Sequence, residues 1–105
     1  MGAVRLKAET TFLRSFAKIY ISEVAVSAKA ELKMRENRIN LAEIHQVLRT
    51  GVVVYTEKEE ACGAQWTVEG LTCDDDRLRV WLDVYCNEYH ICVIDVIRVA
   101  RATDD

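Results

Sequence analysis

Residues 40–57 read NLAEIHQVLRTGVVVYTE, and the period of the apolar residues changes inside this stretch. Before Gly51, the residues Leu41, Ile44, Val47 and Leu48 recur at three and four, which is one face of a helix. Asn40 and Glu43 have capping-box spacing, in which the Asn side chain accepts a backbone N–H of the first turn and the Glu side chain reaches back. Gly51 is expected to end this helix in the left-handed conformation. From Val52 to Glu57 the residues are mainly β-branched or aromatic, so the chain passes directly from helix to strand.

Downstream, the period stays at two. Trp66, Val68 and Gly70 alternate with Thr67, Glu69 and Leu71 in the segment 65–72. In the segment 77–85, Leu78, Val80, Leu82 and Val84 fall on one face and Arg79, Trp81, Asp83 and Tyr85 on the other. Residues 91–99 form the most apolar stretch and read as a central strand. The connections at 57–63, 73–76 and 86–90 are short, which favours antiparallel hairpins.

Upstream, Leu13, Phe16, Ala17, Tyr20, Val24 and Ala28 recur at helical spacing from Thr11 to about Glu36. Thr10 or Thr11 is a suitable start. One long helix, kinked near Ser27, is the preferred reading. The β-branched run Ile19, Ile21, Val24, Val26 also suits a short strand, with Ser27 capping a fresh helix. The expected class is α+β: N-terminal helices packed on a four-stranded antiparallel meander. The chain reads as a single domain, residues 1–105, with a helical half at 1–50, a sheet half at 51–99 and a frayed tail at 100–105.

Charge follows the same boundary. Nine Lys/Arg against five Asp/Glu make residues 1–50 basic, and five against twelve make residues 51–105 acidic, within a net charge of −3 over 105 residues. No run of 18 apolar residues spans a membrane and no signal-peptide core precedes the first helix, so a cytoplasmic location and no membrane partner are expected. Cys62, Cys73, Cys86 and Cys92 match no zinc spacing. Asp74, Asp75 and Asp76 lack the alternation and glycine of a calcium loop, so no metal or cofactor is expected. Cys92, inside an apolar strand, reads as a small core hydrophobe.

Ala30-x-x-Lys33-Met34-x-x-Asn37-Arg38-Ile39, a short helix with Glu43, Ile44, Val47 and Leu48, and then Gly51-Val52-Val53 form one ordered series. It continues through Val68-x-Gly70 and Leu78-x-Val80 to the closing apolar strand Cys92 to Ile97. This series, about two thirds of the chain, resembles a bacterial family catalogued as domain of unknown function 4258, similar in turn to RelE/ParE-type toxins. The resemblance implies a RelE/ParE-like fold, action on RNA or the ribosome, and a cognate antitoxin as protein partner. The series is degenerate. Lys29 stands where the family usually has His, Lys33 and Asn37 where it has Arg, Arg38 where it has Gly, and Val96, Ile97 and Arg98 where it closes with an aromatic residue.

Metal-independent RNA cleavage requires a base, an acid and cations that stabilise charge on the phosphate. His90, Tyr89 and Arg79 are the candidates for that chemistry, and Lys29, Lys33, Arg35 and Arg38 for binding phosphate. The same residues also read as an exposed turn and a solvated helix face. His45 points partly away from the core of its helix. Trp81 and Tyr85 share the strand face opposite Leu78 and Val80. With helices on one side only, they form a protein-contact surface, for a partner such as a basic nucleic-acid-binding complex or for a second copy in a homodimer. With helices on both sides they are core. The acidic runs at 57–60 and 74–76 read as solvated loops, or as part of an acidic sheet surface that a basic partner recognises.

Overall fold

A computed structural model describes residues 6–58, 64–72, 74–85 and 90–99. Among these the order is α1 (Lys7–Tyr20), a 3-10 turn (Ile21–Glu23), β1 (Ala25–Val26), α2 (Ala28–Asn37), α3 (Leu41–Thr50), β2 (Val52–Lys58), β3 (Ala64–Leu71), β4 (Arg77–Tyr85) and β5 (His90–Val99). The α+β class stands, but the sheet is five-stranded and mixed, in the order β1-β5-β4-β3-β2. Strands β2 to β5 form the expected antiparallel meander. The added strand β1 runs parallel to β5, with Ala25 opposite Cys92 and Val26 opposite Val93. β4, not residues 91–99, occupies the centre.

β1 breaks the long helix expected over 11–36. The chain leaves the helical path at Ile21, within the β-branched run Ile19, Ile21, Val24, Val26, and Ser27 starts α2 by accepting from the Ala30 N–H at 3.1 Å, as the alternative reading of this run had it. The start of α1 also differs. It begins at Lys7 after Leu6, without a side-chain cap, and Thr10 lies buried inside it. The Thr10 hydroxyl instead accepts from the backbone N–H of Val53 at 2.9 Å, while the Leu6 N–H donates to the Val53 carbonyl at 3.0 Å. α1 thereby caps both backbone groups of one residue on the edge strand β2.

The capping box at Asn40 and Glu43 is formed, with bonds of 2.9 and 3.0 Å. Gly51 departs from expectation, since its backbone is extended (φ −78°, ψ −174°). Glycine is required there by close approach: a Cβ would stand 2.5 Å from the Val47 carbonyl oxygen and 2.7 Å from that of Glu69. Arg14 of α1 donates to the carbonyls of Thr50 (2.9 Å) and Gly51 (3.0 Å), placing a cation on the negative end of α3.

All three helices lie on one side of the sheet. Leu13, Phe16, Ala30, Ile44, Val47 and Leu48 pack there against Val53, Trp66, Val68, Val80, Leu82, Val93 and Val96. Burying this apolar set is the main force holding helices to sheet. Two bulges adjust the pleat. One between Val53 and Tyr55 turns Tyr55 away from the helices; the other, opposite Trp81 and Leu82, keeps Val93 and Val96 both inward and turns Asp95 out. Cys92 is only half-buried and faces away from the helices, in contrast to the core position expected for it. Cys62, Cys73, Cys86 and the tail 100–105 lie outside the described residues.

Arg98 closes the rim between helices and sheet. Its guanidinium donates to the carbonyls of Asn37 (3.1 Å) and Arg38 (2.7 Å) and to Asp76 (3.0 Å), with Glu43 at 3.5 Å. One side chain thus joins β5, the end of α2, the start of α3 and the turn before β4. Asp76 is spent in this contact, while Asp74 and Asp75 are exposed.

Candidate functional site

The open side of the sheet carries the outward residues of β2 to β5, and no helix among the described residues packs on it. Pairing register defines its rows. Tyr55 lies opposite Thr67, Thr67 opposite Trp81, and Trp81 opposite Asp95, whose carboxylate is 3.5 Å from the Lys29 ammonium. Tyr55 is 56% exposed and Leu71 46%, yet Thr67 between Tyr55 and Trp81 is only 8% exposed. Its cross-strand neighbours on that face are the two aromatic residues. Ser27, Lys29, Gln65, Trp81, Ile94 and Asp95 line a shallow recess beside this row.

The next row places Glu69 opposite Arg79 and Arg79 opposite Ile97. The Arg79 guanidinium donates to Glu69 at 2.7 Å. On the other flank Gln65 faces Asp83, and Asp83 faces Cys92. Burial, reinforced by the Asp83 charge, pushes the Cys92 thiol up.

Of the residues expected to carry RNA chemistry, His90 begins β5, is exposed, and lies opposite Tyr85 with ring centres 5.9 Å apart. Arg79 stands six positions back along β4 from Tyr85, a backbone separation of roughly 20 Å at about 3.3 Å per residue. Arg79 and His90 therefore do not meet. Tyr89 lies outside the described residues.

The four cations of α2 do not share a stripe. At about 100° per residue, Lys29 and Lys33 are roughly 40° apart, but Arg35 lies at least about 120° from either. Arg38 ends the helix in the left-handed region (φ 55°, ψ 46°) and lines a depression with Arg35, Glu31, Met34, Ile39 and Asn40. Lys29 leans the other way, toward Asp95 and the open face. His45 on α3 is half-buried; burial first, and the Arg49 charge second, hold its pKa below the usual 6.5.

Trp81 and Tyr85 fall on the open face, as alternation along β4 requires. Tyr55, Thr67 and Leu71 share it; the alternation of 65–72 had set Thr67 and Leu71 on one face without marking them as contact residues, and Tyr55 was not placed there. For Leu71 the alternation against Val68 and Gly70 carried the signal. For Tyr55 nothing did, because a bulge moves it across the sheet. The chain matches no family model, no curated protein and no solved structure. The resemblance to the domain-of-unknown-function family thus rests on the quoted residues alone. No helix among the described residues is long and apolar enough to cross a membrane.

Proposed function

We propose that the protein is a non-enzymatic interaction module whose open sheet face contacts another protein chain. The observation that carries this reading is the row Tyr55, Thr67, Trp81, with Leu71 nearby, on a sheet side that no described helix covers. Aromatic residues and arginine are the side chains enriched at protein contacts, and Tyr and Trp bury much area for little lost freedom. The polar residues suit a contact that forms and dissociates: the pair Arg79–Glu69 and the pair Lys29–Asp95 are satisfied within the chain, so the face is stable when uncovered.

The toxin-like alternative has less support. Its base and its cation are far apart on the sheet, Arg79 is engaged by Glu69, and the helix cations point to different sides. The acidic sheet half adds repulsion toward a phosphate backbone.

The two readings separate in one experiment. A photo-crosslinking amino acid is placed at Trp81, and at Ile19 on α1 as control, and irradiated in cells, while purified chain is incubated with total RNA. Protein adducts from position 81 and not from 19, with intact RNA, are expected. RNA cleavage by the wild type that is lost in His90→Ala/Arg79→Ala, without adducts at 81, would overturn the proposal in favour of the toxin-like reading.

A further inference from the structure

We infer that the partner of the open face is the same face of a second copy of this chain, stacked across a twofold axis perpendicular to the strands at the level of Val80. This inference rests on the reading that the face contacts protein, and adds the identity of the partner.

The sheet edges are poor sites for association. On β2, Val53 has both its backbone N–H and carbonyl occupied by α1. Beside β5, Ser27 takes the carbonyls of Val93 and Ile94, and the Val96 N–H is bonded to the Asp95 carboxylate. Edges blunted in this way do not accept another strand readily. The face has no such protection.

Charge on the face specifies the partner. The outward residues of β4 run Arg77, Arg79, Trp81, Asp83, Tyr85. Arg79 is paired with Glu69, whereas Arg77 and Asp83 form no ion pair among the described residues. They are opposite in sign and equidistant from Val80. A partner of one sign would leave one of them unmatched. The same strand reversed matches both: Arg77 stands over the partner's Asp83 on each side of the axis, and Arg79 over the partner's Trp81, a guanidinium on an aromatic face. Stacked sheets lie about 10 Å apart, a gap that one long and one short side chain fill together.

The size of the contact sets its strength. Four long strands about 4.8 Å apart and about eight residues long give a planar footprint of roughly 500 Å² per copy. Both copies together bury about 1,000 Å², the low end of specific interfaces, so the dimer dissociates on dilution.

The test is sedimentation velocity across a wide concentration range with charge-reversed variants. Wild type should pass from monomer to dimer. Arg77→Asp and Asp83→Arg should each weaken the dimer at least about tenfold, because each sets like charges opposite one another. An equimolar mixture of the two variants should recover the wild-type association, since each reversed charge then meets its complement. Thermal melts confirm that both variants fold. A monomer at every concentration, indifference to either reversal, or no recovery on mixing would overturn the proposal. If the chain is monomeric yet crosslinks from position 81 to a different protein, the twofold fails while the protein-contact reading stands.

Discussion

Arg79 and Glu69 are cross-strand neighbours whose side chains bond at 2.7 Å on the open face. The pairing consumes the cation that RNA chemistry would have used and leaves a neutral patch beside Trp81. Both side chains are partly exposed, so solvent screens the pair, and a double-mutant cycle with Glu69→Gln and Arg79→Gln should give a coupling of about 0.3–1 kcal/mol. Neither single variant should gain activity toward RNA. A coupling above that range by denaturant melts would mean that the pair is less hydrated than its exposure indicates.

The bond from the Val53 N–H to Thr10 is buried and spans 43 positions. Thr10→Val keeps the shape but leaves a buried donor unsatisfied, which costs about 1–3 kcal/mol. Thr10→Ser retains the acceptor and should cost less. Urea unfolding of the two variants provides the comparison. A loss from Thr10→Ser as large as or larger than that from Thr10→Val would show that the methyl group matters there at least as much as the hydroxyl.

Arg38 holds a left-handed backbone that glycine adopts freely. A side chain in this conformation costs about 1–2 kcal/mol, so Arg38→Gly should raise stability by roughly 0.5–1 kcal/mol after the entropy glycine loses on folding. Arg98→Met removes the four-element clasp at the rim and should lower stability by about 1–3 kcal/mol. Arg98→Lys should not restore it, because one ammonium cannot serve two carbonyls and Asp76 with a planar fork. Thermal melts in one buffer rank all three.

His45 gives stability a pH dependence with a defined sign. Burial, then the Arg49 charge, lower its folded pKa beneath the 6.5 at which it titrates when unfolded. As pH falls below about 6.5, the unfolded chain takes up a proton that the folded chain resists, so stability declines on acidification and recovers above that pH. His45→Gln should show a shallower decline between pH 7 and the folded pKa. Identical pH profiles for wild type and variant would exclude His45 as a source of the dependence.

The legible parts of the fold are those whose signals are local. The alternation of residues 77–85 specified both the strand and the face on which Trp81 and Tyr85 lie, and Asn40 with Glu43 specified the start of α3. β1 was legible only as the alternative to a long helix, through the β-branched run and the Ser27 cap, because two residues carry no period of their own and their pairing with Cys92 and Val93 lies some 67 positions away. Strict alternation from Val53 would also put Tyr55 among the helices, and only the bulge brings it beside Thr67. Thr10 looked like a cap, but its donor is remote in sequence. Arg98 looked only like an unusual strand ending, since its partners come from three other parts of the chain.

The central claim, that a second copy of the chain covers the open face, is tested most directly by hydroxyl-radical footprinting read by mass spectrometry. Concentrated and highly diluted protein are compared at Tyr55 and Trp81, with Tyr20 on the helical side as reference. The account predicts that Tyr55 and Trp81 oxidise several-fold more slowly when concentrated while Tyr20 is unchanged. Equal rates at Tyr55 and Trp81 under both conditions would contradict it.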